Sequence, residues 1–119
     1  MRLMKQLGLL AGVGMLAALP LSAAEVTVKG EIVDQVCYKK DKANKGADHK
    51  DCNSSCIKRG QPAALVTAEG DVYALAGSYT ENKNAKLVDL VGKTVEAKGE
   101  ASEKDGMKVL TASSIVAAK

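Results

Sequence analysis

The three cysteines and the single histidine of the chain lie within 20 residues of each other, at Cys37, His49, Cys52 and Cys56. His49, Cys52 and Cys56 are separated by three and four residues, and side chains with that spacing share one face of an α-helix. Thiolates and imidazoles are ligands that zinc prefers, and thiolates also bind cuprous copper. The spacing therefore predicts a cysteine and histidine site on a helix, to which Cys37 comes from a neighbouring element.

Three kinds of chemistry are open to this cluster. In the first, Cys37, His49, Cys52 and Cys56 hold zinc or copper as a tetrahedral set. In the second, Cys37 forms a disulfide with Cys52 or Cys56 that braces the fold, and because the number of cysteines is odd, one thiol remains. In the third, a thiol of lowered pKa takes part in thiol–disulfide exchange, although the chain has no Cys-x2-Cys motif.

Residues 1–24 have the pattern of a secretory signal peptide. Arg2 and Lys5 precede a short apolar run, and Ser22 to Ala24 offer small residues for cleavage. Cleavage before Glu25 would leave residues 25–119, a length that suits one small domain. The sequence therefore predicts a periplasmic or secreted protein without a membrane span after cleavage, in a compartment that permits disulfides.

The charge of the chain argues against a nucleic-acid partner. Loss of Arg2 and Lys5 with the signal peptide would lower the formal charge from +3 to +1. The chain has three tyrosines and neither phenylalanine nor tryptophan, whereas proteins that bind single strands stack the bases on aromatic rings. The region from Lys39 to Arg59 is more basic, with seven cations against three aspartates. These cations are expected to be solvated or to favour thiolates at the neighbouring cysteines.

Alternating apolar residues predict five strands. The first covers Val26–Tyr38 with Gly30 at a bulge or a close approach, and the last covers Met107–Ala117 with a break near Ser113 and Ser114. The insert after the first strand carries a short helix that Asp48 caps, and a second helix covers Asn82–Val91. The helix in the insert contains weak helix formers, so the cysteines are expected to fasten it. The remaining strands are predicted at Ala63–Ala68, Asp71–Gly77 and Thr94–Glu100.

This order of elements predicts a mainly β fold, a small five-stranded OB-like barrel with a helical insert after strand 1 and a helix between strands 3 and 4. The segments GEIVDQVCY, HKDCNSSCIKRGQPAALVT and GKTVEAKGE also resemble small exported bacterial proteins of the OB type. That group carries a cysteine at the end of the first strand and a His-x2-Cys-x3-Cys insert, here residues 37–60. The resemblance implies the fold and the exported location, and it marks Cys37, His49, Cys52 and Cys56 as the positions of the group's motif.

The sequence thus predicts a non-enzymatic binding module whose Cys/His site holds zinc or copper. The alternatives are a disulfide-braced structural or interaction domain with a spare thiol, and a thiol–disulfide redox protein. No catalytic residue, physiological partner or oligomeric state follows from the sequence. The metal ligands are predicted to be Cys37, His49, Cys52 and Cys56.

Overall fold

The computed structural model of the protein describes residues 24–118. The predicted signal peptide, residues 1–24, lies outside the described residues except for Ala24, with which the first strand begins. Within residues 24–118, no helix has both the length and the apolar character that crossing a bilayer requires.

Five strands form one sheet that closes into a ring. They are β1 (Ala24–Asp34), β2 (Ala63–Val66), β3 (Val72–Ala76), β4 (Thr94–Lys104) and β5 (Met107–Ala117). The order around the ring is β1-β2-β3-β5-β4, and β4 pairs with β1 to close it. All neighbours are antiparallel except β3 and β5, which run parallel. Closure pairs strand edges that an open sheet of this size would expose.

The inward faces of the strands supply the core. In β4, Val95, Ala97 and Gly99 are buried and the residues between them are exposed, so the two-residue period predicted there is confirmed. The strand is longer than predicted, because it continues to Lys104. Side chains from the strands and from the segments between them meet in one main cluster. Its larger members include Ile32, Ile57, Leu65, Leu87, Val91, Leu110 and Ile115.

Gly30 and the break predicted in the last strand have different structural roles. Gly30 pairs with Val95 without a bulge, and a Cβ atom there would collide with the carbonyl oxygen of Val66. Of the two roles predicted for Gly30, close approach is therefore the one observed. The break predicted in the last strand is a β-bulge: Lys98 faces Ser114 but Gly99 faces Ala112, which leaves one extra residue in β5.

The first strand ends earlier than the sequence predicts. β1 stops at Asp34, and a short helix, α1 (Gln35–Lys40), follows in place of the last strand residues. The reason lies in the Asp34 side chain, whose Oδ2 accepts a hydrogen bond of 3.3 Å from the backbone N–H of Cys37. Aspartate is a favoured N-cap because it satisfies such unpaired amides. Cys37 consequently lies on a helix and not at the end of a strand.

The insert contains the predicted short helix, but it begins differently. The helix α2 spans Lys50–Lys58, and a 3-10 turn, Ala47–His49, precedes it. His49 occupies the position before the first helical residue, and no side chain caps the helix there. The predicted cap at Asp48 is therefore wrong.

The segment between β3 and β4 is not the single helix predicted over Asn82–Val91. It consists of 3-10 turns at Ser78–Thr80 and Val88–Leu90 and a helical turn at Glu81–Asn84. Asn82, Lys83 and Asn84 have φ angles of 55°, 55° and 60°, which a right-handed helix does not allow. Leu87 and Val91 nevertheless reach the core, as the apolar spacing predicts.

Two buried asparagines hold α2 against the rest of the fold. The Oδ1 atom of Asn53 accepts hydrogen bonds from the backbone N–H of Asp34 at 2.8 Å and from the Asn44 side chain at 3.2 Å. At the other end of α2, the Nδ2 atom of Asn84 donates to the carbonyl oxygens of Ile57 and Gln61, each at 2.9 Å. The weak helix is therefore anchored by asparagine side chains and by core burial, whereas the cysteines that were expected to fasten it are free thiols.

We expect Asn53→Ala to lower the free energy of unfolding by about 2–4 kcal/mol, because the Asp34 amide and the Asn44 side chain both lose their buried acceptor. Urea unfolding followed by circular dichroism measures the change. Ser55→Ala, at an exposed position of the same helix, is the matched control and should change stability by no more than about 0.5 kcal/mol. Equal stabilities of the two variants would contradict this role of Asn53.

Candidate functional site

Two of the three cysteines meet a buried carboxylate at the place where α1 and α2 contact the end of β1. One carboxylate oxygen of Asp34 and the sulfur atoms of Cys37 and Cys56 all lie within 4.8 Å of one another. Asp34 is only 1% exposed, whereas both cysteines are half-buried. One oxygen donor and two sulfur donors thus converge at the edge of the fold, with the oxygen on the protected side.

The end of β1, the helix α1 and the helix α2 position the three side chains. Asp34 is the last residue of β1 and the N-cap of α1, and Cys37 follows within the first turn of that helix. Cys56 lies on α2, which the Asn53 hydrogen bond to the Asp34 amide holds beside the strand end. A change in any of these three elements would separate the donor atoms.

The Asp34 carboxylate is incompletely satisfied. Its Oδ2 atom accepts the amide of Cys37, but its Oδ1 atom is buried and has no hydrogen-bond partner among residues 24–118. Burying a charged oxygen without a partner is costly, because the carboxylate gives up hydration that nothing replaces. This oxygen therefore favours a proton donor or a cation beside it.

The thiol of Cys37 lies beside this carboxylate. Its pKa is raised from 9.0 to about 12, first by the interaction of the thiol proton with the Asp34 side chain, then by burial and the negative charge of Asp34, with a smaller contribution from Cys56. Cys37 therefore stays protonated at neutral pH. The lysines nearby were expected to favour thiolates, and at Cys37 the adjacent carboxylate reverses that expectation.

Cys56 has a different neighbour. The guanidinium of Arg59 donates through Nη2 to the sulfur of Cys56 over 3.5 Å, from the next turn at the end of α2. The two cysteines of the cluster thus face groups of opposite charge, Asp34 at Cys37 and Arg59 at Cys56.

The other two predicted ligands do not belong to this group. Cys52 is exposed in the first turn of α2, one turn before Cys56. His49 is half-buried, and its carbonyl oxygen accepts a hydrogen bond of 3.2 Å from Asn53. All three cysteines are free thiols. The structure therefore brings Cys37 and Cys56 together and leaves His49 and Cys52 on the outer part of the insert.

Asp34 is the site residue that sequence reasoning missed. In the sequence it is an acidic residue at the end of a strand, which needs no functional explanation. The signal that could have found it is its position three residues before Cys37, because an N-cap side chain reaches the amide of the third residue of its helix. Such a cap places a carboxylate beside the cysteine that follows.

A separate groove of about 600 Å³ lies along β1 and the turn from β2 to β3, away from the thiols. Side chains of both charges line it, and Asp34, Cys37 and Cys56 are not among them. The lining therefore gives no preference for an anionic or a cationic ligand. None of the three residues of the cluster lines the groove. Its charged lining residues are Lys29, Glu31, Lys45, Glu69 and Asp71.

Comparisons with protein-family models, with curated proteins and with solved structures found no match for the chain. The geometry of the cluster is therefore the basis for the functional argument.

In reduced, metal-free protein, Asp34→Asn should speed the alkylation of Cys37 by iodoacetamide at pH 8 by at least about tenfold. Asparagine keeps the N-cap, but it replaces the carboxylate that attracts the thiol proton and removes its negative charge, so the pKa of Cys37 falls and the thiolate fraction rises. Mass spectrometry of peptides from samples taken at successive times measures the alkylation of Cys37 separately from that of Cys52. Exposed Cys52 serves as the internal reference.

Asp51→Asn, at an exposed position of α2, is the matched control for loss of one aspartate and should leave the Cys37 rate unchanged. If Cys37 reacts as fast as Cys52 in the unaltered protein, the carboxylate does not control its protonation.

Proposed function

We propose that the protein is a small exported binding module of the OB type that holds a transition-metal ion, zinc or cuprous copper, between Asp34, Cys37 and Cys56. The observation that carries this proposal is the buried Asp34 carboxylate: one of its oxygens lies within 4.8 Å of two thiol sulfurs, and its Oδ1 has no hydrogen-bond partner among residues 24–118. A cation there would neutralise the carboxylate and use both sulfurs.

The donor set suits the proposed ions. Zinc accepts thiolate sulfur at about 2.3 Å and carboxylate oxygen at about 2.0–2.2 Å, and two sulfurs on one tetrahedral ion are then about 3.8 Å apart. The separations of up to 4.8 Å between the donor atoms are compatible with that arrangement after a small adjustment. Two sulfurs also suit cuprous copper, whereas the carboxylate oxygen favours zinc. Three protein donors leave a fourth position on zinc for water or another ligand.

The ion would be held for a purpose other than folding. Asn53 and Asn84 already anchor α2 by buried hydrogen bonds, and Ile57 packs into the core from the same helix. Structural zinc sites in small domains supply folding energy that nothing else provides. Here the hydrogen bonds that position α2 are complete without an ion, so binding of the ion is not needed to form the site.

The OB type and the exported location are parts of the same proposal. The strand order β1-β2-β3-β5-β4 with a single parallel pair, β3 and β5, agrees with a five-stranded Greek-key barrel. The location rests on the pattern of residues 1–24. An exported protein meets oxidising conditions, so the ion would have to reach the thiols before they form disulfides.

A disulfide between Cys37 and Cys56 is the second candidate, and the closeness of the two sulfurs favours it. Joining these residues would close a loop of about 20 residues, which stabilises by about 3 kcal/mol in the chain-entropy model. It would, however, remove the thiol beside Asp34 and leave the carboxylate buried next to an uncharged disulfide. The metal site accounts for Asp34, and the disulfide does not.

Native mass spectrometry of the protein, isolated without chelator or reductant, should show one zinc or copper ion per chain. Asp34→Asn, Cys37→Ser and Cys56→Ser should each lower the ion content at least tenfold, because each removes one of three donors. His49→Ala and Ser55→Ala should keep it. A metal-free protein whose mass shows one internal disulfide would support the second candidate. Equal losses from His49→Ala and the cysteine variants would favour the four-ligand set that the sequence predicts.

The affinity for the ion should rise with pH by at least about tenfold per unit between pH 6 and pH 8. The pKa of Cys37 is about 12, so below that pH the ion must displace a proton from this thiol, and protons compete more strongly as the pH falls. Competition with a chelator of known affinity at several pH values gives the slope. A pH-independent affinity would mean that Cys37 does not ligate as a thiolate.

A further inference from the structure

We propose that Cys52 is the exchange ligand through which the ion enters and leaves the site formed by Asp34, Cys37 and Cys56. This inference rests on the proposed metal site. It concerns the route by which the ion moves and does not add a resident ligand. Cys52 is the thiol that the metal site leaves unused, and its place on α2 connects solvent with the buried donors.

The donors become more buried from the surface of the insert towards the strand end. Cys52 is exposed, Cys56 is half-buried, and Asp34 is 1% exposed. Of these donors, the Cys52 sulfur is therefore the most accessible to an ion in solvent, and the Asp34 carboxylate is the least accessible.

Helix geometry puts Cys52 within reach of an ion at Cys56. The two residues are four apart on α2, so their side chains lie on the same face with Cβ atoms about 5–6 Å apart. The exposed side chain of Cys52 can change rotamer, whereas the donors at the strand end are fixed by packing and hydrogen bonds.

The exchange is a sequence of ligand substitutions without oxidation or reduction. On release, the Cys52 thiol gives its proton to solvent and its sulfur bonds to the ion at the open coordination position. The bonds from the ion to Cys37, Cys56 and Asp34 then break in turn as thiolates or chelating groups of the acceptor bind, and Cys37 and Cys56 each take a proton from solvent. Finally, the bond to Cys52 breaks as the acceptor completes its coordination of the ion, and the Cys52 thiolate is reprotonated. Zinc passes through a higher coordination number in such steps.

The surface around Cys52 favours anionic carriers of the ion. The chain from Lys39 to Arg59 carries seven cations, all of them exposed, against three aspartates. Complexes of zinc or copper with thiolates are anionic, and so are many chelating groups, so a net positive surface raises their local concentration. The partner chemistry that this surface suits is a thiolate complex of negative charge.

The test compares equilibrium and kinetics in Cys52→Ser. Zinc-loaded protein is mixed with the anionic chromophoric chelator 4-(2-pyridylazo)resorcinol, and the rates of zinc loss and zinc uptake are measured by stopped flow. A group that acts only on the path changes both rates by the same factor and leaves the dissociation constant unchanged. We expect both rates to fall at least tenfold in Cys52→Ser, with the dissociation constant within threefold of the unaltered protein.

Two further variants separate the exchange role from a general effect. Cys52→His keeps a zinc ligand at the same exposed position and should restore both rates to within threefold. Ser55→Ala, on the same helix, should change neither. Unchanged rates in Cys52→Ser would overturn the inference while the metal site stands. The inference would also be overturned if Cys52→Ser raised the dissociation constant by the same factor by which it slowed zinc uptake. Cys52 would then be a resident ligand. Failure of the unaltered protein to bind zinc or copper stoichiometrically would refute the metal site itself.

Discussion

The hydrogen bond from the Asp34 amide to the Asn53 side chain joins the end of β1 to the middle of α2. It fixes the distance between two segments that are far apart in sequence, and each segment carries one cysteine of the cluster. Asn53 also bonds to Asn44 and to the carbonyl oxygen of His49, so the loop before α2 is tied to the same point. Because these groups are buried, breaking the network leaves several of them without partners, which is why the site depends on it.

Asp34 has two functions that the same side chain performs through different atoms. Its Oδ2 caps α1 by accepting the Cys37 amide, and this cap turns the chain at the end of the strand. Its Oδ1 is buried and has no hydrogen-bond partner among residues 24–118, and the carboxylate as a whole keeps the neighbouring Cys37 thiol protonated. A proton and a metal ion compete for the same environment. The raised pKa of Cys37 and the proposed affinity for a cation are therefore two consequences of one buried negative charge.

Local sequence patterns predicted the strands of the sheet. The structure of the segments between the strands depends on contacts between residues that are far apart in sequence. The alternation of Val95 and Ala97 with charged neighbours identified β4, because that period follows from the pleat itself. The helix predicted over Asn82–Val91 does not form, because the side chain of Asn84 bonds instead to the carbonyl oxygens of Ile57, on α2, and Gln61, just after it, both more than 20 residues away. From the sequence, Asn53 was interpreted only as a weak helix former. In the structure, its buried side chain anchors the helix. Of the site, Cys56 was predicted from its spacing on a helix and Cys37 as a cysteine at the end of the first strand, whereas Asp34 was missed because a capping aspartate is common.

The most direct test of the proposed site is X-ray absorption spectroscopy at the metal edge of zinc-loaded protein, compared with Asp34→Asn. We predict two sulfur scatterers at about 2.3 Å and oxygen or nitrogen at about 2.0–2.2 Å, with part of the lighter shell lost in the variant. A shell of three sulfurs with an imidazole, unchanged by Asp34→Asn, would contradict the site and point to the set of His49 and all three cysteines.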